Sequence, residues 1–193
     1  MKRDFKRAPA GVTLVELILA TLLMSVVILT GLSMEIAIRR LYLVADQEAQ
    51  LMGEAGAIMT FVTKRIHQAP GDWWNNPLMN WTNATAVRYG IKRDDNNNGL
   101  WDATDGWEVF TFFTSGTAAN QLWYGINSSL TVMMSDHVVN FTVVNPIYLG
   151  GDGCSRIWLT LRRDPLNAVN ATNPQILINS SAQYRGMSLN QGA

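Results

Sequence analysis

Hydrophobic residues are concentrated in one long run near the start of the chain. Residues 12 to 32 contain a single charged side chain, Glu16, and about 20 apolar residues are enough to cross a bilayer as a helix. From there to residue 68, apolar side chains recur at three- and four-residue steps between charged ones, which predicts an amphipathic helix. No proline interrupts residues 12 to 69, and Pro70-Gly71 predicts the end. The pattern therefore predicts one long helix over 12–68, membrane-spanning over about 12–32.

Beyond Pro70 the pattern changes to short alternating segments separated by Gly, Asn and Pro, which is typical of strands. In residues 156–162, for example, Ile157, Leu159 and Leu161 fall on one face. The predicted strands are 84–92, 107–114, 121–126, 137–144, 156–162 and 175–179. We expect them to form an antiparallel sheet in a globular region, 69–193, packed on the apolar stripe of the helix from Leu51 to Ile66. The predicted fold class is α+β. The pattern does not give the strand order.

The net charge of zero conceals an uneven distribution. The leader, residues 1–11, has a charge of +3 and the rest of the chain −3. A basic flank before an apolar run predicts a cytoplasmic N-terminus, with the C-terminal region on the other side of the membrane. No domain has the clustered Lys and Arg of a nucleic-acid-binding surface, so we expect no nucleic-acid partner.

Two ordinary interpretations compete for the N-terminal segment. A cleaved secretory signal has an apolar core of 7–15 residues and a small-x-small cleavage site, whereas this run is about 21 residues long and no Ala-x-Ala follows it. A plain signal anchor fits the length but gives no reason for Glu16 or for Gly11 at the start of the run. A carboxylate at the centre of a spanning helix costs about 2.5–3.5 kcal/mol. The cost near the end is smaller, but it still needs a compensating interaction.

Residues 11–16, Gly-Val-Thr-Leu-Val-Glu, resemble the cleavage and methylation signal of type IV pilins and pseudopilins. The resemblance implies that a prepilin peptidase cuts between Gly11 and Val12, that the Val12 amine is then methylated, and that Glu16 is the glutamate of the fifth mature position. Val12 departs from the Phe or Met that the family usually has at the first mature position. Because a buried carboxylate is tolerated when it is paired, the freed Val12 amine is the expected partner of Glu16, within one chain or between neighbouring subunits.

The resemblance extends more loosely to the C-terminal part. A Ser-Asp-x-Val-x-Asn-Phe segment, an Arg-Ile-Trp-Leu-Thr-Leu segment and a closing Tyr184-Arg185 are similar to the J-type minor pseudopilin and the W-type minor pilin. This implies a pilin-like fold and a structural subunit of a type IV pilus or type II secretion filament that initiates the filament or lies at its tip. The implied partners are other pilins or pseudopilins, the prepilin peptidase and the inner membrane, which the protein would cross once.

An acidic loop, 94–105, has the spacing of a calcium-binding loop. Oxygen-bearing side chains occupy positions 1, 3, 5, 9 and 12, glycine occupies position 6, and position 7 offers a backbone carbonyl; these ligands are Asp94, Asn96, Asn98, Asp102 and Asp105, with Leu100 at position 7. Asp95 and Glu108 are alternative ligands. Position 12 is Asp rather than a bidentate Glu, and two positions are Asn. We therefore expect modest affinity, near the ~10⁻⁴–10⁻³ M end of the range. The alternative is a solvated turn, because Asn, Asp and Gly favour turns without a metal.

No catalytic arrangement is visible, and we expect no enzymatic activity. His67 and His137 are far apart in sequence, and Cys154 is the only cysteine, which excludes an intrachain disulfide and a multi-cysteine zinc site. Tryptophan is abundant after the helix, including positions 73, 74, 81, 101, 107 and 123. These indoles either belong to the core and anchor loops or form an exposed patch. The functional alternatives are accordingly a tryptophan-rich adhesive pilin, or a signal-anchored membrane protein of another function, an enzyme included.

Overall fold

The computed structural model describes residues 11–70, 78–96, 98, 102, 104–127, 129–144, 154–170 and 172–184. The chain divides into two compact units, Met1–Leu43 and Val44–Ala193. Among the described residues there are one long helix and eight strands: α1 (Leu14–Gln68), β1 (Leu78–Thr82), β2 (Ala86–Arg93), β3 (Gly106–Phe113), β4 (Leu122–Ile126), β5 (Ser129–Ser135), β6 (Val138–Val144), β7 (Cys154–Arg162) and β8 (Gln175–Gln183). The predicted α+β class is confirmed.

The strands form two antiparallel sheets. The five-stranded sheet has the order β1-β2-β3-β4-β5, and the three-stranded sheet has the order β6-β7-β8. Within each sheet, every strand pairs with the strand that follows it in the sequence. Such a meander needs only short connections, which agrees with the many short turn segments in the sequence.

Strands β1 and β5 were not predicted. In β1 only Leu78 is buried, and in β5 only Ser135 is buried, so neither strand has the alternation that identifies a half-buried strand. Two register shifts in the pairing of β5 with β4 disturb its periodicity further. The predicted start of β2 at residue 84 was also wrong. The Asn83 side chain accepts hydrogen bonds from the backbone N–H groups of Thr85 (2.9 Å) and Ala86 (2.7 Å), and this turn delays the strand until Ala86.

The core of the second unit lies between α1 and the two sheets. The buried face of α1 carries Leu51, Ala55, Ile58, Met59, Val62 and Ile66, within the stripe that the helical periodicity predicts. Phe110 of β3 is fully buried at the centre of this core. Its ring lies 6.1 Å from Phe61 of α1, 5.4 Å from Tyr124 of β4 and 6.3 Å from Phe141 of β6. One side chain thus joins the helix to both sheets.

Candidate functional site

The segment expected to carry the processing site lies at the start of α1. Gly11, Val12 and Thr13 precede the helix, which begins at Leu14, and all three are exposed. The predicted start at residue 12 is therefore two residues early. Gly11 and Val12 are thus accessible just before the helix, and Glu16 lies in its first turn.

Glu16 takes part in a capping box with Thr13. Its Oε2 atom accepts hydrogen bonds from the Thr13 backbone N–H (2.8 Å) and hydroxyl (3.0 Å), and the Thr13 hydroxyl oxygen accepts from the Glu16 N–H (3.3 Å). Leu17 N–H donates to the Thr13 carbonyl at 3.1 Å, the first α-helical bond. The reciprocal arrangement satisfies backbone donors that a helix N-terminus otherwise leaves free. Sequence reasoning did not identify this role, although the Thr-x-x-Glu spacing signals it.

The first unit presents an apolar helical surface. By length and composition α1 could cross a membrane, a criterion that a signal sequence near an N-terminus also meets. The hydroxyl groups within the apolar stretch donate to carbonyls one turn back, as Thr21 does to Ile18 (2.9 Å) and Ser25 to Leu22 (2.7 Å). Hydroxyls bonded in this way need no water, so they are compatible with a hydrocarbon environment.

The acidic loop joins β2 to β3, next to the turn of the β4–β5 hairpin. Asn127 of that turn accepts a hydrogen bond from the Trp107 N–H at 2.8 Å, and its own N–H donates to the Trp107 carbonyl at 2.9 Å. A side chain at Gly106 would place its Cβ 2.7 Å from the Asn127 Oδ1 atom, so a glycine permits this close approach. The end of the loop is therefore fixed by the neighbouring hairpin.

Within the loop, the predicted calcium ligands that the structure describes are linked to one another. The Oδ2 atom of Asp102 accepts hydrogen bonds from the side-chain amides of Asn96 (3.1 Å) and Asn98 (3.2 Å). Asp94 accepts from the Asn98 N–H at 3.2 Å, and Asp105 accepts from the Asp102 N–H at 2.8 Å. Leu100, expected to supply a carbonyl, lies outside the described residues. The Asp102 side chain thus accepts from both amide side chains, whereas Asp94 and Asp105 accept from backbone N–H groups of the loop.

Thr104 also bonds to the Asp102 carboxylate. Hydrogen bonds from the Thr104 hydroxyl (2.6 Å) and N–H (2.8 Å) hold the pKa of Asp102 below its ordinary value. Sequence reasoning did not include Thr104. Among the described residues, no group of three or more His, Cys, Asp or Glu side chains is placed to hold a metal ion. Calcium also binds the amide oxygens of Asn side chains and backbone carbonyl oxygens.

The two alternative calcium ligands are engaged elsewhere. Asp95 forms an ion pair with Arg93. Glu108, which is buried, forms an ion pair with Arg65 of α1 at 3.1 Å. Burial raises the pKa of the Glu108 carboxyl group, and the positive charge of Arg65 acts in the opposite direction. The Arg65 guanidinium also lies 4.8 Å from the centre of the Phe61 ring. The Arg65–Glu108 pair ties the helix to the five-stranded sheet.

The remaining candidate side chains do not come together. His67 is exposed on α1, whereas the His137 Nδ1 atom lies 3.1 Å from a carboxylate oxygen of Glu54. Cys154 is half-buried at the start of β7. Tyr184, part of the C-terminal resemblance, is buried and accepts a hydrogen bond from the Ser155 hydroxyl at 2.6 Å, while Arg185 lies outside the described residues.

Comparison of the chain with protein-family models, with curated proteins and with solved structures finds no match.

Proposed function

We propose that this protein is a minor pilin or pseudopilin, a structural subunit that a prepilin peptidase cuts between Gly11 and Val12 and that then enters a filament. The observation that carries the proposal is the accessible Gly11–Val12 bond before a long apolar helix with a carboxylate, Glu16, in its first turn. The C-terminal half of that helix packs in the core of a β-rich unit, as the pilin resemblance implies. The subunit initiates the filament or lies at its tip.

In this proposal Glu16 acts twice. Before cleavage its carboxylate completes the capping box with Thr13. After cleavage the Val12 amine becomes a cation close to the helix start, and the helix N-terminus itself favours a negative charge nearby. A pair between Glu16 and the Val12 amine of a neighbouring subunit would fix the axial position of one helix against the next.

The two roles of Glu16 can be separated by substitution. Gln at this position still completes a capping box but carries no charge, whereas Ala removes both functions. The test is incorporation of Glu16→Gln and Glu16→Ala into filaments by cells that assemble them, with cleavage monitored in parallel. We expect both variants to be cleaved and both to fail to assemble. Normal incorporation of Glu16→Gln would reject the charge pair, and normal incorporation of both would reject the proposed assembly role.

We also propose that the acidic loop holds a calcium ion. Asp94, Asn96, Asn98, Asp102 and Asp105 would be side-chain ligands, after rotation of the two amide groups that now donate to Asp102, and Leu100 would supply its carbonyl. A ligand that binds only the folded state stabilises it. In a unit without a disulfide, such an ion would secure the connection between β2 and β3.

A second candidate function is adhesion through the aromatic face of the five-stranded sheet. Trp81 is 39% exposed, and Trp107 and Trp123 are half-buried. These indoles lie on a face that an antiparallel sheet commonly leaves polar and solvated. An adhesive pilin would be cleaved and assembled in the same way, so the two functions are compatible.

A further inference from the structure

Strand β8 forms a long unpaired edge of the three-stranded sheet. It pairs with β7 over nine consecutive residues without a register shift, and among the described residues no strand pairs with its other side. Its sequence, Gln-Ile-Leu-Ile-Asn-Ser-Ser-Ala-Gln, contains no charged residue and no proline. Such an edge presents a row of backbone N–H and C=O groups that another extended strand can satisfy.

The other sheet edges differ from β8 because each is short, irregular or covered. Strand β1 has only five residues, and the pairing of β5 with β4 has two register shifts. Strand β6 is bonded from the side of the five-stranded sheet: the Tyr89 hydroxyl donates to the Phe141 carbonyl (3.2 Å), and the Val138 N–H donates to the Asn120 carbonyl (3.0 Å). Natural proteins protect edge strands from pairing with another chain by such devices. In the part of the chain that the structure describes, β8 has none of them.

The inner face of β8 is only partly covered. The inward apolar side chains of the neighbouring strand β7 are fully buried: Ile157, Leu159 and Leu161. By contrast, Ile176 and Ile178 of β8 are half-buried. Beside Ser180, on the helix side of the sheet, a groove of about 520 Å³ opens onto Met59 and Thr63 of α1. A further strand along β8 would complete the burial of both isoleucines and place its own side chains in this groove.

We infer that β8 pairs antiparallel with β8 of a second copy of this chain, across a two-fold axis at Asn179. Asn179 is the middle residue of the strand, so all nine residues pair only when it lies opposite Asn179 of the second copy. A two-fold interface brings the same surface of both copies together, and here that surface has no charge to repel itself. The inference does not depend on the filament function, since it rests only on the second unit.

The side chains of β8 are complementary to themselves in this register. Each larger apolar side chain of one copy lies opposite a small side chain of the other: Ile176 opposite Ala182, Leu177 opposite Ser181 and Ile178 opposite Ser180. Pairs of a large and a small residue pack across strands without a clash. Because the groove lies beside Ser180, Ile178 of the second copy would enter it.

The test is disulfide crosslinking of the purified full chain in detergent micelles, with Cys154→Ser as the background that removes the natural thiol. Residues directly opposite in antiparallel strands have Cα atoms about 4.5–5.5 Å apart, within the ~4.4–6.8 Å that a disulfide spans. Asn179→Cys should therefore give a covalent dimer on mild oxidation. Leu177→Cys is the matched control on the same face of the strand. Its two copies would be four residues apart, about 14 Å along the strand, so it should crosslink only when mixed with Ser181→Cys.

Light scattering of the unmodified chain gives a second, independent measurement. One strand pair is a small interface, so the dimer should form at high protein concentration and dissociate on dilution. Asn179→Lys opposes two ammonium groups at the axis and should abolish the dimer. Its melting temperature should stay unchanged, because Asn179 is exposed.

Three results would overturn the inference. The first is an Asn179→Cys variant that forms no more dimer than Thr131→Cys, which places the thiol at an exposed position of the edge strand β5. The second is Leu177→Cys alone crosslinking as readily as Asn179→Cys. The third is an Asn179→Lys variant that dimerises like the wild type, or a wild type that is monomeric at every concentration, which would leave the edge to a strand of a different subunit.

Discussion

Replacing Phe110 by Ala should strongly destabilise the second unit. The ring is fully buried and contacts Phe61 of α1, Tyr124 of β4 and Phe141 of β6 at centre distances of 6.1, 5.4 and 6.3 Å. Its removal leaves a cavity at the point where the helix and both sheets meet.

The size of the effect follows from the burial. Truncating a buried Phe to Ala costs about 3–5 kcal/mol, and each aromatic pair adds roughly 0.5–1.5 kcal/mol beyond area burial. We therefore expect about 4–5 kcal/mol, out of the ~5–15 kcal/mol that is usual for a folded protein. For a protein of this size each kcal/mol lowers the melting temperature by about 2–4 °C, so the expected decrease is roughly 8–20 °C.

The assay is urea unfolding of the full chain in detergent micelles, followed by near-ultraviolet circular dichroism, which reports aromatic packing. Phe110→Leu is the matched variant: it keeps most of the volume and should cost only about 1–1.5 kcal/mol. Leu177→Ala, at a position that is 61% exposed, should change stability by less than about 0.5 kcal/mol. A Phe110→Ala loss below about 1.5 kcal/mol, or one no larger than that of Leu177→Ala, would refute this account of the core.

Three further predictions concern the loops and the buried ion pair. In the wild type, calcium should raise the melting temperature and EDTA should lower it, whereas neither should change the melting temperature of Asp102→Ala. Equal wild-type melting temperatures with calcium and with EDTA would reject the calcium proposal. The pKa of Glu108 is raised above 4.5 in the folded state, so the folded state binds the Glu108 proton more tightly than the unfolded state does. The free energy of unfolding of the wild type, relative to that of Glu108→Gln, should therefore fall as the pH rises from about 4.5 through the raised pKa. A difference between the two proteins that does not change over pH 4–8 would contradict this. The buried Asn173 side chain (6% exposed) donates to the backbone carbonyls of Asp164 (3.0 Å) and Ala168 (3.1 Å). Asn173→Ala should lower the free energy of unfolding by about 1–3 kcal/mol and speed proteolysis within 163–174. Unchanged proteolysis would show that the side chain does not hold this loop.

The elements with strong periodicity were predictable from the sequence. The helix over 12–68 and the strand over 156–162 agree with α1 and β7 to within two residues. The helix is marked by a long apolar run followed by an apolar stripe that is buried from Leu51 to Ile66, and β7 is marked by the alternation of its buried face. The edge strands β1 and β5 bury almost nothing, so no apolar alternation marks them. Strand order depends on pairing between distant residues, which local periodicity does not encode.

The candidate sites were likewise predictable only in part. Spacing predicted a calcium site in the acidic loop; of the side chains described, those of Asn96 and Asn98 bond to Asp102, and the calcium site itself stays a prediction. Spacing alone did not predict that Glu108 would be buried against Arg65, since that pair joins α1 to β3.

The most direct test of the proposed function is the N-terminus of the protein from cells that express a prepilin peptidase, determined by mass spectrometry of the N-terminal peptide. We predict that the mature chain begins at Val12 with a methylated amine, and that a strain without the peptidase retains residues 1–11. A chain that keeps Met1 in the presence of the peptidase, or that is cut anywhere other than between Gly11 and Val12, would contradict the assignment to a pilin-like filament.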